Sequence, residues 1–233
     1  MNKLLDLKEL ELLSFRSIIG ELLGYLGKED ISYLHPTKLW EYPWAVINSG
    51  VKTKMKVLDA GCGDSIFPVY LAMHECQVYA ADEEVNKEIA RIHGLKIDYH
   101  EGDIYNLPYQ DNFFDRIFCL SVLEHLEPIE VLRSVKELSR VLRPGGLLAI
   151  TIDFFKDSTT KFTYNIDGEE GIVDWHIFDE KRLYEEIIDP SGLKLYQETD
   201  FKEEDWEKRR KEMKEFHPFE YTVAGLILKK DKN

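Results

Sequence analysis

Apolar positions along this chain change period several times, and each change marks an element. Over residues 3–26, Leu4, Leu7, Leu12, Phe15, Ile19, Leu22, Leu23 and Leu26 recur at helical spacing. That predicts an amphipathic helix stopping near Gly27, its apolar stripe packed on the core or on a partner subunit, or closing over a site as a lid. From 56 to 152, short apolar runs alternate with amphipathic stretches. They predict strands at 56–60, 77–81, 96–100, 114–120 and 146–152, and helices near 66–75, 84–92 and 129–141. Pro128 suits a first helical turn and Gly145-Gly146 a helix stop. Further on, Asp179 reads as an N-cap, 193–196 and 221–228 as strands, and the charge-dense 202–215 as a solvated helix. Strands and helices in alternation imply a parallel sheet with helices on both faces.

Two stretches lack a clear period. Residues 31–50 crowd Tyr33, His35, Pro36, Trp40, Tyr42, Pro43 and Trp44 just before the first strand of the alternation. Residues 153–178 hold Phe154, Phe155, Phe162, Tyr164, Trp175 and Phe178, with turn signals at Asp167-Gly168 and Glu170-Gly171. Long irregular connections of this kind are where folds tend to place function.

The chain has 233 residues, 44% of them hydrophobic, enough for one domain with a sizeable core. We divide it into an extension at 1–50, part of the same domain, and a main body at 51–233. No apolar run is long enough to span a membrane, and acids interrupt the first apolar residues, unlike a signal peptide. Cys62, Cys76 and Cys119 read as reduced thiols, so the expected location is the cytoplasm. A net charge of −14 argues against a nucleic-acid partner. No His, Cys or carboxylate group has metal-ligand spacing.

The chemistry centres on Lys56 to Gly63, K-V-L-D-A-G-C-G. An apolar strand ends in an acid, and two glycines then allow a sharp turn and a close approach of ligand to backbone. The third glycine of the dinucleotide fingerprint would stand at Ile66, so that motif fails. The acid before the glycines instead resembles motif I of the class I S-adenosylmethionine (SAM)-dependent methyltransferases, with Ser65 where the family often has another glycine. The resemblance continues through Gln77–Asp82, Gly102-Asp103-Ile104 with Leu107-Pro108, Phe113–Leu120 followed by Ser121-Val-Leu-Glu-His125, and Arg140–Ile150. These ordered matches cover residues 56–152.

That family implies a Rossmann-like, doubly wound, seven-stranded α/β sheet, mostly parallel with an antiparallel edge strand, here with an N-terminal helical extension. It also implies SAM as cofactor and S-adenosylhomocysteine as product. By the resemblance, Asp59, Gly61, Cys62 and Gly63 face the methionine and ribose, Asp82 and Glu83 the ribose hydroxyls, Asp103 and Ile104 the adenine, and Leu120 the methionyl amine. The acceptor pocket falls after the fifth strand, and the rings of 40–44 and 154–178 are expected to converge over the methyl group, where aromatic faces suit a sulfonium. His125 and His176 are the candidate proton acceptors, having reference pKa values near neutrality; Glu124, Asp153 and Tyr164 are weaker ones. The implied function is methyl transfer to a small-molecule acceptor, in a monomer or a homodimer formed through the N-terminal helix. The alternatives are a SAM-binding protein without catalysis and, ranked lower because paired aspartates are missing after the fourth strand, an aminopropyltransferase.

Overall fold

In the computed structural model, all residues are described except 29, 158–161, 167–168, 174, 218 and 233, and within 158–174 only backbone is described. The tip signal Asp167-Gly168 and the Phe162 and Tyr164 side chains therefore lie outside the described residues. The central sheet has nine strands: β1 (Asn2–Leu4), β2 (Lys56–Ala60), β3 (Gln77–Asp82), β4 (Ile97–Glu101), β5 (Phe114–Leu120), β6 (Leu142–Phe154), β9 (Lys194–Leu195), β10 (Thr199–Asp200) and β11 (Thr222–Lys229). A separate antiparallel pair, β7 (Phe162–Ile166) and β8 (Glu169–Val173), lies within the stretch that showed no period.

Strand order is β10-β1-β11-β6-β5-β2-β3-β4, with β9 also on β11. The run β6-β5-β2-β3-β4 is parallel and β11 is antiparallel to β6. The expected seven strands grow to nine because short strands line the outer edge of β11. From β2 the chain winds outward through β3 to β4, then returns to place β5 on the other side of β2. Strand order thus reverses between β2 and β5, and the crevice at such a reversal is where doubly wound sheets hold ligands.

Helices cover both faces: α1 (Leu13–Tyr25), α2 (Lys38–Ser49) and α3 (Phe67–Met73) on one, α5 (Pro128–Val141) on the other, with the short α4 (Glu88–Ile92) between β3 and β4. On the α5 face lies a segment of α6 (Glu180–Arg182), a π turn (Leu183–Ile188) and α7 (Asp189–Ser191); α8 (Trp206–Phe216) precedes β11. Pro128 opens α5 and Asp179 caps α6 through the Arg182 N–H, as the sequence predicts.

Three further expectations change. The helix drawn over 3–26 begins only at Leu13, after β1 and a 3₁₀ turn (Leu7–Glu11) capped by Asp6. Asn2 is the cause: its buried amide accepts from Ile227 N–H at 2.6 Å and donates to the Gln197 carbonyl at 2.9 Å, pinning the first residues to the sheet edge. Gly145-Gly146 does not stop α5, which ends at Val141 and passes directly into β6. The third change is α2, a helix where the sequence showed only crowded rings. Pro43 inside it removes the N–H that would reach Leu39, which hides the helix from pattern reading.

Candidate functional site

The site forms where β2, β3 and β5 end. Gly61 leaves β2 at φ +80° and its N–H donates to the Ala81 carbonyl at 2.7 Å. A Cβ there would stand 2.4 Å from a Val122 methyl, so only glycine lets the chain leaving β5 lie against this turn. Gly63 follows at φ +47°, and its N–H donates to Asp82 Oδ2 at 2.8 Å. Asp82 therefore fixes the glycine turn from the end of β3, while Gly102 N–H meets its carbonyl at 2.8 Å. Ser65, where the family pattern often has glycine, works as a clasp. Its hydroxyl accepts the Phe67 N–H at 3.0 Å at the start of α3 and lies 2.9 Å from the Tyr42 hydroxyl on α2.

Two cavities meet at this turn. One, of about 510 Å³, is lined by Asp59, Gly61, Cys62, Gly63 and Leu120 together with Lys38 and Tyr42 from α2. The other, of about 310 Å³, is lined by Asp82, Glu83, Asp103, Ile104, Tyr105 and His125. Gly61 and Ser121 belong to both. All nine residues expected to bind cofactor thus face one or the other cavity. Of the two candidate proton acceptors, exposed His125 lines the second cavity, its ring 5.1 Å from that of Trp175. His176 is buried, lines neither cavity, and donates its N–H to the Glu124 carbonyl at 2.9 Å.

Sequence reasoning missed the α2 side. Glu41 is fully buried; its Oε2 accepts from Lys38 Nζ at 2.9 Å, Ser121 Oγ at 2.7 Å and Thr151 Oγ1 at 2.5 Å. Lys38 Nζ also donates to the Leu120 carbonyl at 3.0 Å. Burial pushes Glu41 toward neutrality, but Lys38 and the hydroxyls of Thr151, Thr37 and Ser121 outweigh it and hold the carboxyl below its usual range. Burial likewise opposes the Lys38 charge, and Glu41 more than offsets it, leaving the ammonium above the usual lysine range. The pair is ionised. Ser121, tethered to it, holds a non-glycine φ of +54° in the wall shared by both cavities.

Among the described residues the expected convergence of rings is only partly present. Tyr42 faces the first cavity, whereas Trp40 and Trp44 stack on each other 5.3 Å apart in the core, with Trp40 donating to Glu9 at 2.8 Å. Phe154 and Phe178 are core residues too. Behind Ser121 lie two more buried acids, Glu124 and Asp153, which burial and mutual repulsion with Glu41 push upward toward the neutral form.

At the floor of the first cavity burial pushes Asp59 up to about 7; Lys38 opposes that shift and Asp82 adds to it. Burial also drives the Cys62 thiol well above its ordinary range, so it is inert. Partial desolvation, then Lys38 and His176, hold His125 below its ordinary value, which keeps it neutral and able to accept a proton. Among the described residues no cluster of His, Cys, Asp and Glu is arranged for a metal, and no helix is long and apolar enough to cross a membrane.

The model of the methyltransferase domain family matches residues 58–150. A ubiquinone biosynthesis O-methyltransferase of Methylocella silvestris is 31% identical, over 62% of this chain and 60% of that protein. A methyltransferase of Streptomyces halstedii, GfsG, is 28% identical over 64% of this chain and 56% of its own length. The chain thus spans less than two thirds of these relatives. Among solved structures, the [4+2]-cyclase SpnF aligns over 97% of each chain with a TM-score of 0.65 and 17% identity. A SAM-dependent methyltransferase of Methanosarcina mazei aligns over 81% of this chain and 98% of its own, with a TM-score of 0.60 and 20% identity. At these identities the structural likeness shows the fold alone.

Proposed function

We propose that this chain, whose domain belongs to the class I SAM-dependent methyltransferase family, transfers a methyl group from SAM to a small-molecule acceptor. The observation that carries the reading is the pair of cavities joined at Gly61 and Ser121, with Asp82 at their junction. The residues present fit the cofactor. The glycine turn leaves backbone bare beside the first cavity, and Asp82, Glu83 and Asp103 bring carboxylate acceptors to the second, as a vicinal diol and an exocyclic amine require. Asp103 and Ile104 would hold the adenine, Asp82 and Glu83 the ribose, and Asp59, Gly61, Cys62, Gly63 and Leu120 the methionine. SAM supplies an activated methyl group, so the protein's work is orientation and exclusion of water.

An acceptor that must lose a proton would give it to His125, which reaches a cavity, before His176, which is buried. The net charge of −14 favours a small acceptor over a nucleic acid. Association through α1 has little apolar surface to draw on: Phe15, Ile18, Ile19, Leu22 and Leu23 are buried within the chain, and only Leu12 and Leu13 at its start are exposed large apolar residues.

Calorimetry with SAM and with S-adenosylhomocysteine tests the reading. Both should bind, and Asp82→Ala should weaken both by about 1–3 kcal/mol, since the Gly63 N–H loses its acceptor along with the ribose. Binding of NAD with none of SAM would overturn the assignment. A tritiated methyl group left unreleased to any product in cell extract would favour a SAM-binding protein without catalysis.

A further inference from the structure

We propose that the methyl acceptor is an apolar small molecule held in the first cavity beside Leu26, Tyr33 and Leu34, with a hydroxyl group hydrogen-bonded to His35 Nε2. The inference rests on the methyl transfer proposed above and names the class of its acceptor. The strand ends that line this cavity, Asp59 to Gly63 and Leu120, are assigned to the methionine. Leu26, Tyr33, Leu34 and His35, from the chain between α1 and α2, and Ile89 of α4 line it as well and have no part in that assignment. Four of these side chains are apolar or aromatic and one is a hydrogen-bonding ring, which suits a mostly apolar ligand with one polar group. Tyr33 is 59% exposed there, leaving surface for such a ligand to cover. The region expected to supply the acceptor pocket does not reach this far: among the described residues none of 154–178 lines either cavity.

His35 is set to accept a hydrogen bond. Its Nδ1 lies 2.9 Å from Thr37 Oγ1. The Thr37 hydroxyl is buried and is one of those that hold Glu41 ionised, so its single proton is directed to that carboxylate. Its oxygen then receives the Nδ1–H, which leaves the lone pair on Nε2. Nε2 has no hydrogen-bond partner among the described residues, and the ring lines the cavity. The imidazole is neutral, since burial holds it below its ordinary value, against the pull of Glu41 and with the help of Lys38. His217, whose ring lies 6.2 Å away, is uncharged too, pushed by burial down to about 4. A hydroxyl must give up its proton to take a methyl group, so it is the acceptor class that uses such a nitrogen. As the acceptor oxygen bonds to the methyl carbon, the carbon–sulfur bond breaks with its electron pair left on sulfur. The hydroxyl proton passes to Nε2 and from there to solvent. His35 is not among the candidates the sequence suggests, and it outranks His125, which stands in the cavity assigned to adenine and ribose.

The test uses protein labelled with nitrogen-15 and saturated with S-adenosylhomocysteine, with para-cresol and toluene as probes. Above neutral pH the imidazole nitrogen resonances should show His35 in its Nδ1–H form. Thr37→Val should mix the two neutral forms, and Thr37→Ser should restore the wild-type spectrum. Wild type should bind para-cresol in preference to toluene, with para-cresol shifting the His35 Nε2 resonance. His35→Phe should lower the ratio of the two affinities about twofold to tenfold, the effect of one lost hydrogen bond. An Nε2–H form in wild type, no preference for para-cresol, a ratio unchanged in His35→Phe, or a shift at His125 in place of His35 overturns the proposal. Failure of the cofactor assignment looks different: wild type would then not bind S-adenosylhomocysteine.

Discussion

The two walls of the first cavity are built on opposite principles. Its β2–β3 wall is main chain: Gly61 and Gly63 at positive φ, their N–H groups tied to Ala81 and Asp82. Its α2 wall is side chain: an ion pair between half-buried Lys38 and fully buried Glu41, a strained Ser121 and a clamped Tyr42. Backbone geometry costs little to maintain once the right residue is present, since glycine meets the conformational demand by itself. A buried ion pair must offset the desolvation of both charges, and it does so only while every partner is in place. One wall therefore rests on two glycines and the Asp82 carboxylate that holds the second, and the other is a set of interlocking groups that fail together.

The largest effect should come from breaking that interlock. Lys38→Met leaves Glu41 charged, fully buried and paired only with hydroxyls, which should cost about 3–5 kcal/mol of unfolding free energy. Adding Glu41→Leu removes the stranded charge and should recover most of the loss. Chemical denaturation of the two variants measures both terms. A single variant within about 1 kcal/mol of wild type would mean the α2 wall is no more cooperative than the glycine wall, and the contrast would collapse.

The opposite wall breaks at one position. Gly61→Ala sets a Cβ 2.4 Å from Val122 in a backbone conformation disfavoured for L residues, an expected cost of about 2–4 kcal/mol. Gly63→Ala meets nothing closer than Asp82 Oδ2 at 4.0 Å and should cost only the φ penalty, about 1–2 kcal/mol. The gap between the two alanine variants, read from the same denaturation curves, separates close approach from conformation.

The same contrast explains what could be read from the sequence. The glycine turn, β2 to β6 and α5 obey local rules, in which period, capping residues and glycine are all visible within a few positions. Every cofactor residue expected from the family resemblance faces a cavity. The α2 wall obeys a tertiary rule. Lys38 and Glu41 are three apart, a spacing that signals an ion pair only once the segment is known to be helical, and Pro43 conceals that. Ser121 gave no signal, because its conformation is imposed by Thr151 and Glu41, far away in the chain. β1 escaped for the same reason: three residues pair because β11 and Asn2 hold them, against a helical pattern that begins in the same stretch. His176 looked like a candidate since a loop histidine invites that reading; burial behind Glu124 was not encoded near it.

Asp59 lies at the floor where the two walls meet, and it offers the smallest and most specific test. Its carboxyl is pushed up to about 7, by burial first and by Asp82 second, against the pull of Lys38. Near pH 6 the group is therefore mostly protonated in the empty site, and at pH 7.5 mostly ionised. A donor carrying positive charge favours the ionised form, so its binding lowers this pKa and releases a proton. By linkage, affinity for SAM should rise with pH through 6 to 7.5, by several-fold and at most about tenfold per pH unit for one proton, and then level off. The folded chain alone shows the reverse sign. A carboxyl whose folded pKa exceeds its unfolded value binds a proton that the unfolded chain has lost, so its contribution to stability declines as pH rises from about 4 to about 7 and is constant above. Calorimetry in buffers of differing ionisation enthalpy reads the proton release directly, and Asp59→Asn should abolish it. Proton uptake in place of release, or a slope that persists in Asp59→Asn, would move the titrating group elsewhere in the site.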